Sequence, residues 1–161
     1  MGLPILKLIN TMKTLRDEKC RAELIGRLEL LTPDAKPAWG RMNVEQMLSH
    51  LVQSGELPFE SCVPDRSSWM SRTFIKPLVL SFLPIPKEVQ TSAEIDQQQK
   101  GRPPLGFDID KANLVDSINK LGTIATDHRC LDHPFFGQMS TKQWCRMAYK
   151  HADHHLRQFG V

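Results

Sequence analysis

Apolar positions along this chain fall mostly at helical spacing. From Thr11 to Leu31, the residues Met12, Leu15, Leu24, Leu28 and Leu31 share one face, with charged residues between them. That pattern predicts an amphipathic helix, ending before Pro33 because a residue preceding proline avoids the helical region. A turn punctuated by Pro33, Pro37 and Gly40 follows. Asn43, with Gln46 three residues later, predicts a capping box, opening a second helix that runs to about Glu56, before Pro58. A third helical segment is expected from Trp69 to Phe82, kinked or broken at Pro77. The polar run from Gln90 to Pro104 reads as an exposed, mobile loop. A fourth helix is expected from Asp108 or Asp110, either one as its cap, with Leu114, Ile118, Leu121 and Ile124 on one side. Ser140 and Gln143 form a second capping box, opening a last helix to about Gln158. No stretch alternates like a strand. The expectation is an all-α domain spanning 1–161, with four main helices and one short or broken one.

Composition changes little in this picture. The chain has 161 residues, 21 basic and 18 acidic, for a formal charge of +3. These charges are dispersed and form no basic stripe, so nucleic acid is not an expected partner. The N-terminal run Met-Gly-Leu-Pro-Ile-Leu-Lys-Leu-Ile is short, with no basic lead-in and no small-residue cleavage site. The apolar run from Phe74 to Pro86 is interrupted by Lys76, Pro77 and Pro84. A spanning helix needs about 20 apolar residues, so neither run is expected to cross a bilayer and no membrane partner is expected. Cys20, Cys62, Cys130 and Cys145 are widely spaced and form no C-x-x-C pair. They read as reduced thiols of a cytoplasmic protein.

The candidate chemistry lies with the histidines. Three fall in the run Lys150-His151-Ala152-Asp153-His154-His155. On a helix, four steps of about 100° nearly complete a turn, so His151 and His155 share a face. Two imidazoles so placed can converge on one divalent ion. His154 is rotated away and is the weaker ligand candidate. Trp144, Met147 and Ala148 continue the face below the pair, and Gln158 continues it above. Two histidines on a core-facing stripe need hydrogen bonds, water or a metal as partners. A third ligand must come from another helix. His50 is the best choice, mid-helix on a mixed strip with Asn43, Gln46, Met47, Ser54 and Leu57. Three histidines would leave a coordination position open.

Other clusters carry less. His128, Cys130, Asp132 and His133 lie close in sequence but fit no zinc spacing. They read as structural, with His133 also able to close a rim of the cavity or act beside the ligands. His133-Pro134-Phe135-Phe136-Gly137 reads as a rigid turn, and Trp39-Gly40 as a packing anchor with a turn glycine. There is no nucleophile elbow, phosphate-binding glycine loop or paired-carboxylate motif.

The segment Met47-Leu48-Ser49-His50-Leu51, followed about a hundred residues on by His151-x-x-x-His155-x-x-Gln158, resembles the DinB/YfiT-like superfamily of metalloenzymes. Trp39-Gly40-Arg41-Met42, His133-Pro134-Phe135-Phe136-Gly137 and His151-Ala152-Asp153-His154-His155-Leu156-Arg157-Gln158-Phe159 are similar to an uncharacterised subfamily within it. The resemblance runs from about the first helix to the C-terminus, without a motif between Pro58 and Pro104. It implies an up-down-down-up four-helix bundle with His50, His151 and His155 holding zinc or nickel. Some such proteins are transferases or isomerases that use a low-molecular-weight thiol, and many form homodimers. The superfamily's usual Arg-Gly-Gln after the last histidine is Leu156-Arg157-Gln158 here, so the glutamine is kept and its neighbours differ.

Two functions follow as expectations. One is a metal-dependent hydrolase or thiol-dependent transferase acting on a small molecule, with Gln158, His154 and His133 supporting the ligands. The alternative is a non-catalytic stress-response or binding bundle with a structural or vestigial metal. No catalytic base is assignable from the sequence.

Overall fold

The computed structural model describes residues 12–87 and 89–161. The expectations for Thr11 and for the N-terminal apolar run lie outside the described residues. Helix α1 spans Glu18–Glu29, α2 Val44–Glu56, α3 Lys76–Val79, α4 Phe107–Thr123 and α5 Thr141–Gln158. No strand is present among the described residues; His133 and Gly137 form an isolated bridge. The architecture is all-α.

Both predicted capping boxes are present. The Asn43 and Ser140 side chains accept from the Gln46 and Gln143 backbone N–H groups, and each glutamine side chain reaches back to the cap residue's N–H. Helix α1 instead starts later than its apolar pattern predicts. Asp17 is extended and accepts from the Lys19 N–H at 2.9 Å, which stops the helix there. Leu15 reaches the core from an irregular turn, its N–H held by the Cys145 carbonyl.

The third segment keeps its helical course through Pro77 by widening. A π-helical turn, Ser71–Ile75, precedes α3, and the Lys76 N–H reaches the Ser71 carbonyl. The longer step accommodates a proline, which lacks an N–H and crowds the carbonyl four residues earlier. The helix ends at Val79 rather than Phe82. Beyond it, Arg146 of α5 donates to the Leu80 and Ser81 carbonyls, and Lys150 to those of Val79, Ser81 and Leu83.

Two expectations need correction. Neither Asp108 nor Asp110 occupies the cap position of α4. Gly106 does, at φ 122°, and the buried Asp110 carboxylate accepts the Leu105 N–H from inside the first turn. Nor is the polar run from Gln90 to Pro104 an exposed loop throughout. Ser92, Ile95 and Asp96 are buried around a 3-10 turn, Ala93–Ile95. Polar side chains of α2 pin it: Gln53 donates to the Glu94 carbonyl and accepts from the Arg102 N–H, and Ser49 donates to the Arg102 carbonyl. Backbone polar groups buried against a helix must find partners, and α2 supplies them.

The four long helices pack on one another around Leu24, Leu28, Met47, Leu48, Ile118 and Leu156. Arg27 near the end of α1 pairs with Asp153 near the end of α5 at 2.7 Å, so these two run parallel. Gly55 and Ser117 are in close approach late in α2 and α4, so that pair is parallel too. The Cys145 thiol at the start of α5 reaches the Leu121 carbonyl at the end of α4, making those two antiparallel. Trp39, just before α2, touches Gln158 at the end of α5, and α2 therefore descends past α5 in the opposite sense. This antiparallel pair faces His50 toward His151 and His155.

Candidate metal centre

His50, His151 and His155 come together where α2 crosses α5. The ring nitrogen Nε2 of His151 lies 3.1 Å from Nε2 of His50 and 3.2 Å from Nε2 of His155. One nitrogen from each ring falls within 4.8 Å of the others, and no other group of three metal-capable side chains occurs among the described residues. His50 is fully buried; His151 and His155 keep some exposure toward a cavity.

The outer nitrogens fix which way two of these rings present their lone pairs. His50 Nδ1 lies 2.6 Å from the Ile95 carbonyl oxygen, which can only accept, so Nδ1 carries the proton. Gln158 donates its Nε2–H to the Trp39 carbonyl at 2.5 Å, which turns its Oε1 toward His155 Nδ1 at 2.8 Å. His155 Nδ1 therefore donates. In the neutral rings, His50 and His155 then offer bare Nε2 lone pairs to the same small volume.

A hydrogen bond could satisfy one of these contacts but not all. If His151 Nε2 carried a proton, it would serve one of its two neighbours and leave the other lone pair unmet. Charging a ring would help, but burial drives the proton off. Burial followed by the neighbouring rings holds His151 well below the usual histidine range; burial and His50 take His155 to about 3; burial lowers His50. Three neutral imidazoles with converging lone pairs fit a divalent cation, and outer N–H groups held by a carbonyl and an amide are the supporting contacts such ligands need. These three histidines could hold a metal ion.

Of the neighbours named from sequence, Gln158 touches a candidate ligand through the hydrogen bond just described. His154 stands on the edge of the Trp39 ring and of His155, with ring centroids 5.9 and 5.2 Å away. It lines the cavity without joining the three-nitrogen cluster. His133 also faces the cavity, but its Nδ1 accepts the Phe135 and Phe136 N–H groups and its ring stacks on Phe136 at 4.5 Å. It holds its own turn, which Gly137 closes at φ 62° by exchanging backbone hydrogen bonds with it.

Burial pushes the His133 pKa down to about 4. The folded protein thus keeps this ring neutral while the unfolded chain takes a proton, so its contribution is full above about pH 6.5 and is lost as pH falls to about 4. The loss amounts to about 3 kcal/mol at one pH unit per 1.36 kcal/mol. His133→Asn keeps an acceptor but no titration. Chemical denaturation across that range should show a flatter pH dependence for the variant; an equal slope in both proteins contradicts this role.

Sequence reasoning missed three contributors. The Ile95 carbonyl lies in the polar run whose composition reads as a loop. The Trp39 carbonyl orients Gln158, so Trp39-Gly40 does more than anchor packing. Gly40 sits at φ 79°, and a Cβ there would lie 2.5 Å from Gln158 Nε2. The polar strip of α2 was the one available sign that something packs there.

The cavity beside the histidines has a volume of about 1190 Å³ and a largely apolar wall, to which Leu78, Val79, Leu83, Ile85 and Phe136 contribute together with residues of α2, α4 and α5. No helix among the described residues is long and apolar enough to cross a membrane. A family model described as Protein of unknown function (DUF1569) matches residues 9–160 of the chain. No curated protein and no solved structure matches it.

Proposed function

The chain belongs to this DUF1569 family, whose description assigns no activity, and we propose from the centre itself that it is a divalent-metal-dependent enzyme acting on a small molecule. The reaction is a hydrolysis or the transfer of a low-molecular-weight thiol, with zinc or nickel as the metal. The observation that carries this reading is the convergence of three Nε2 atoms, two with their tautomers set by outer hydrogen bonds. A three-histidine set leaves a coordination position free, and the large cavity adjoins it.

The bound ion would supply Lewis acidity toward water or a thiol. The chain's own part is positional. Ile95 and Gln158 hold two ligands in the metal-ready tautomer, and the apolar walls limit water around the reacting groups. The parallel settings of α1 with α5 and α2 with α4 support an up-down-down-up bundle of the DinB/YfiT-like kind. A cytoplasmic homodimer belongs to the same reading. The exposed Trp69, Met70, Phe74, Leu78 and Phe82 offer an apolar face for a second copy to cover, and sedimentation velocity tests it.

Cobalt substitution tests the open position. Adding 2-mercaptoethanol to the cobalt-loaded protein should change its visible absorption as sulfur enters the free site. A cobalt spectrum indifferent to thiol and to azide would mean a closed centre and favour the non-catalytic alternative.

A further inference from the structure

The cavity does not end at the histidines. Because α2 and α5 are antiparallel, stepping forward from His50 and backward from His151 leads the same way. That direction reaches Ser54 on α2 and Trp144 on α5, both of which line the cavity. Trp144 is two helical turns from His151, roughly 10 Å along the axis. Trp144 packs with Leu57, Ile95, Phe136 and Met147, all of which also line the cavity and carry no charge.

Two polar atoms interrupt this apolar wall without partners. The Trp144 indole Nε1 and the Ser54 Oγ are both buried and make no hydrogen bond among the described residues. Trp144 is 3% exposed. A buried indole N–H normally has an acceptor, and a helical serine hydroxyl shielded from solvent can bond the carbonyl one turn back. Here neither is satisfied, and both stand on the same side of the histidines.

We propose that the site takes an elongated amphiphile. Its polar head lies at the three histidines, its hydrocarbon body runs in a slot along the apolar cavity wall from α2 and α5 toward Trp144, and an acceptor oxygen partway along meets Trp144 and Ser54. This inference rests on the metal-centre reading for the head group alone; the slot and its two free donors stand apart from it. An acyl chain with a mid-chain carbonyl, hydroxyl or ether oxygen has this chemistry.

The test uses zinc-loaded protein and straight-chain hydroxamates from acetyl to dodecanoyl, with affinity read by calorimetry. Each added methylene should tighten binding about fourfold until the chain spans the slot, after which affinity levels. Ala148→Phe, which narrows the slot, should move that plateau to shorter chains. Trp144→Phe should leave plain chains unaffected and weaken a mid-chain ketone by roughly twofold to tenfold. Equal affinity across the series, with acetohydroxamate still bound, overturns the slot and leaves the metal centre standing. The converse is separable as well. Failure of hydroxamate heads to bind, together with a methylene-dependent rise for n-alkanols, supports the slot and counts against the metal. A mid-chain ketone unaffected by Trp144→Phe overturns the acceptor assignment.

Discussion

His155→Ala should weaken zinc or nickel binding on the order of a hundredfold while leaving the fold intact. A structural zinc site of four ligands contributes roughly 10–16 kcal/mol, so one ligand's share is about 3 kcal/mol and its removal weakens binding on the order of a hundredfold or more. His155 is the informative position because its ring is partly exposed, whereas His50 is fully buried and its loss would also open a core cavity. After truncation, Gln158 keeps its bond to the Trp39 carbonyl, so the local backbone has little reason to move. The readout is thermal unfolding with and without metal. Metal at about a hundred times its Kd stabilises the native protein by about 2.7 kcal/mol, a rise of roughly 5–10 °C for a chain of this size. At that metal concentration the variant should gain only about 0.4 kcal/mol, a rise of no more than about 2 °C. A variant that still gains the full rise would remove His155 from the centre.

Gly40→Ala should weaken metal binding from a position that cannot itself ligate. Two effects combine there. The φ of 79° costs an alanine about 1–2 kcal/mol, and the added Cβ would fall 2.5 Å from Gln158 Nε2. The side-chain amide is the softer partner, so it gives way. Moving it breaks the Trp39–Gln158–His155 relay and frees His155 Nδ1 from its acceptor. Loss of such an outer contact costs about 10–100-fold in metal affinity. Gln158→Ala should reproduce the affinity loss without the backbone strain. The double variant should bind metal no more weakly than Gln158→Ala alone, because both changes act through one contact. Additive losses in the double variant would mean that Gly40 acts by another route.

The features readable in the sequence were those in which a side chain announces its own role. Asn43 with Gln46 and Ser140 with Gln143 marked two helix starts, and the i, i+4 spacing set His151 beside His155. Features set by the backbone were not readable. The acceptor for His50 is a carbonyl, and any residue at position 95 would provide one; only the fold brings it within 2.6 Å. The late start of α1 came from Asp17, a capping residue passed over because the apolar pattern ran on through it. Asp108 and Asp110 looked like caps for the same local reason, although a glycine at positive φ takes the turn and Asp110 serves from within. Pro77 signalled disruption, but not the form of the response, one wide turn at Ser71–Ile75 that lets the helical course continue.

Asp153 shows how one motif can serve two ends. It lies between the ligand-bearing positions of α5, yet its carboxylate pairs with Arg27 at 2.7 Å and Arg157 at 2.6 Å. Arg27 also binds the Val161 carbonyl, tying the end of α1 to the end of the chain. The same short run thus places histidines on one face and docks α1 on another.

X-ray absorption at the metal edge of protein grown with zinc or nickel bears most directly on the centre. We expect three imidazole nitrogens at about 2.0–2.1 Å for zinc and one further ligand that exchanges when thiol is added. Protein that carries no metal, or whose metal shows fewer than three imidazoles, would contradict that expectation.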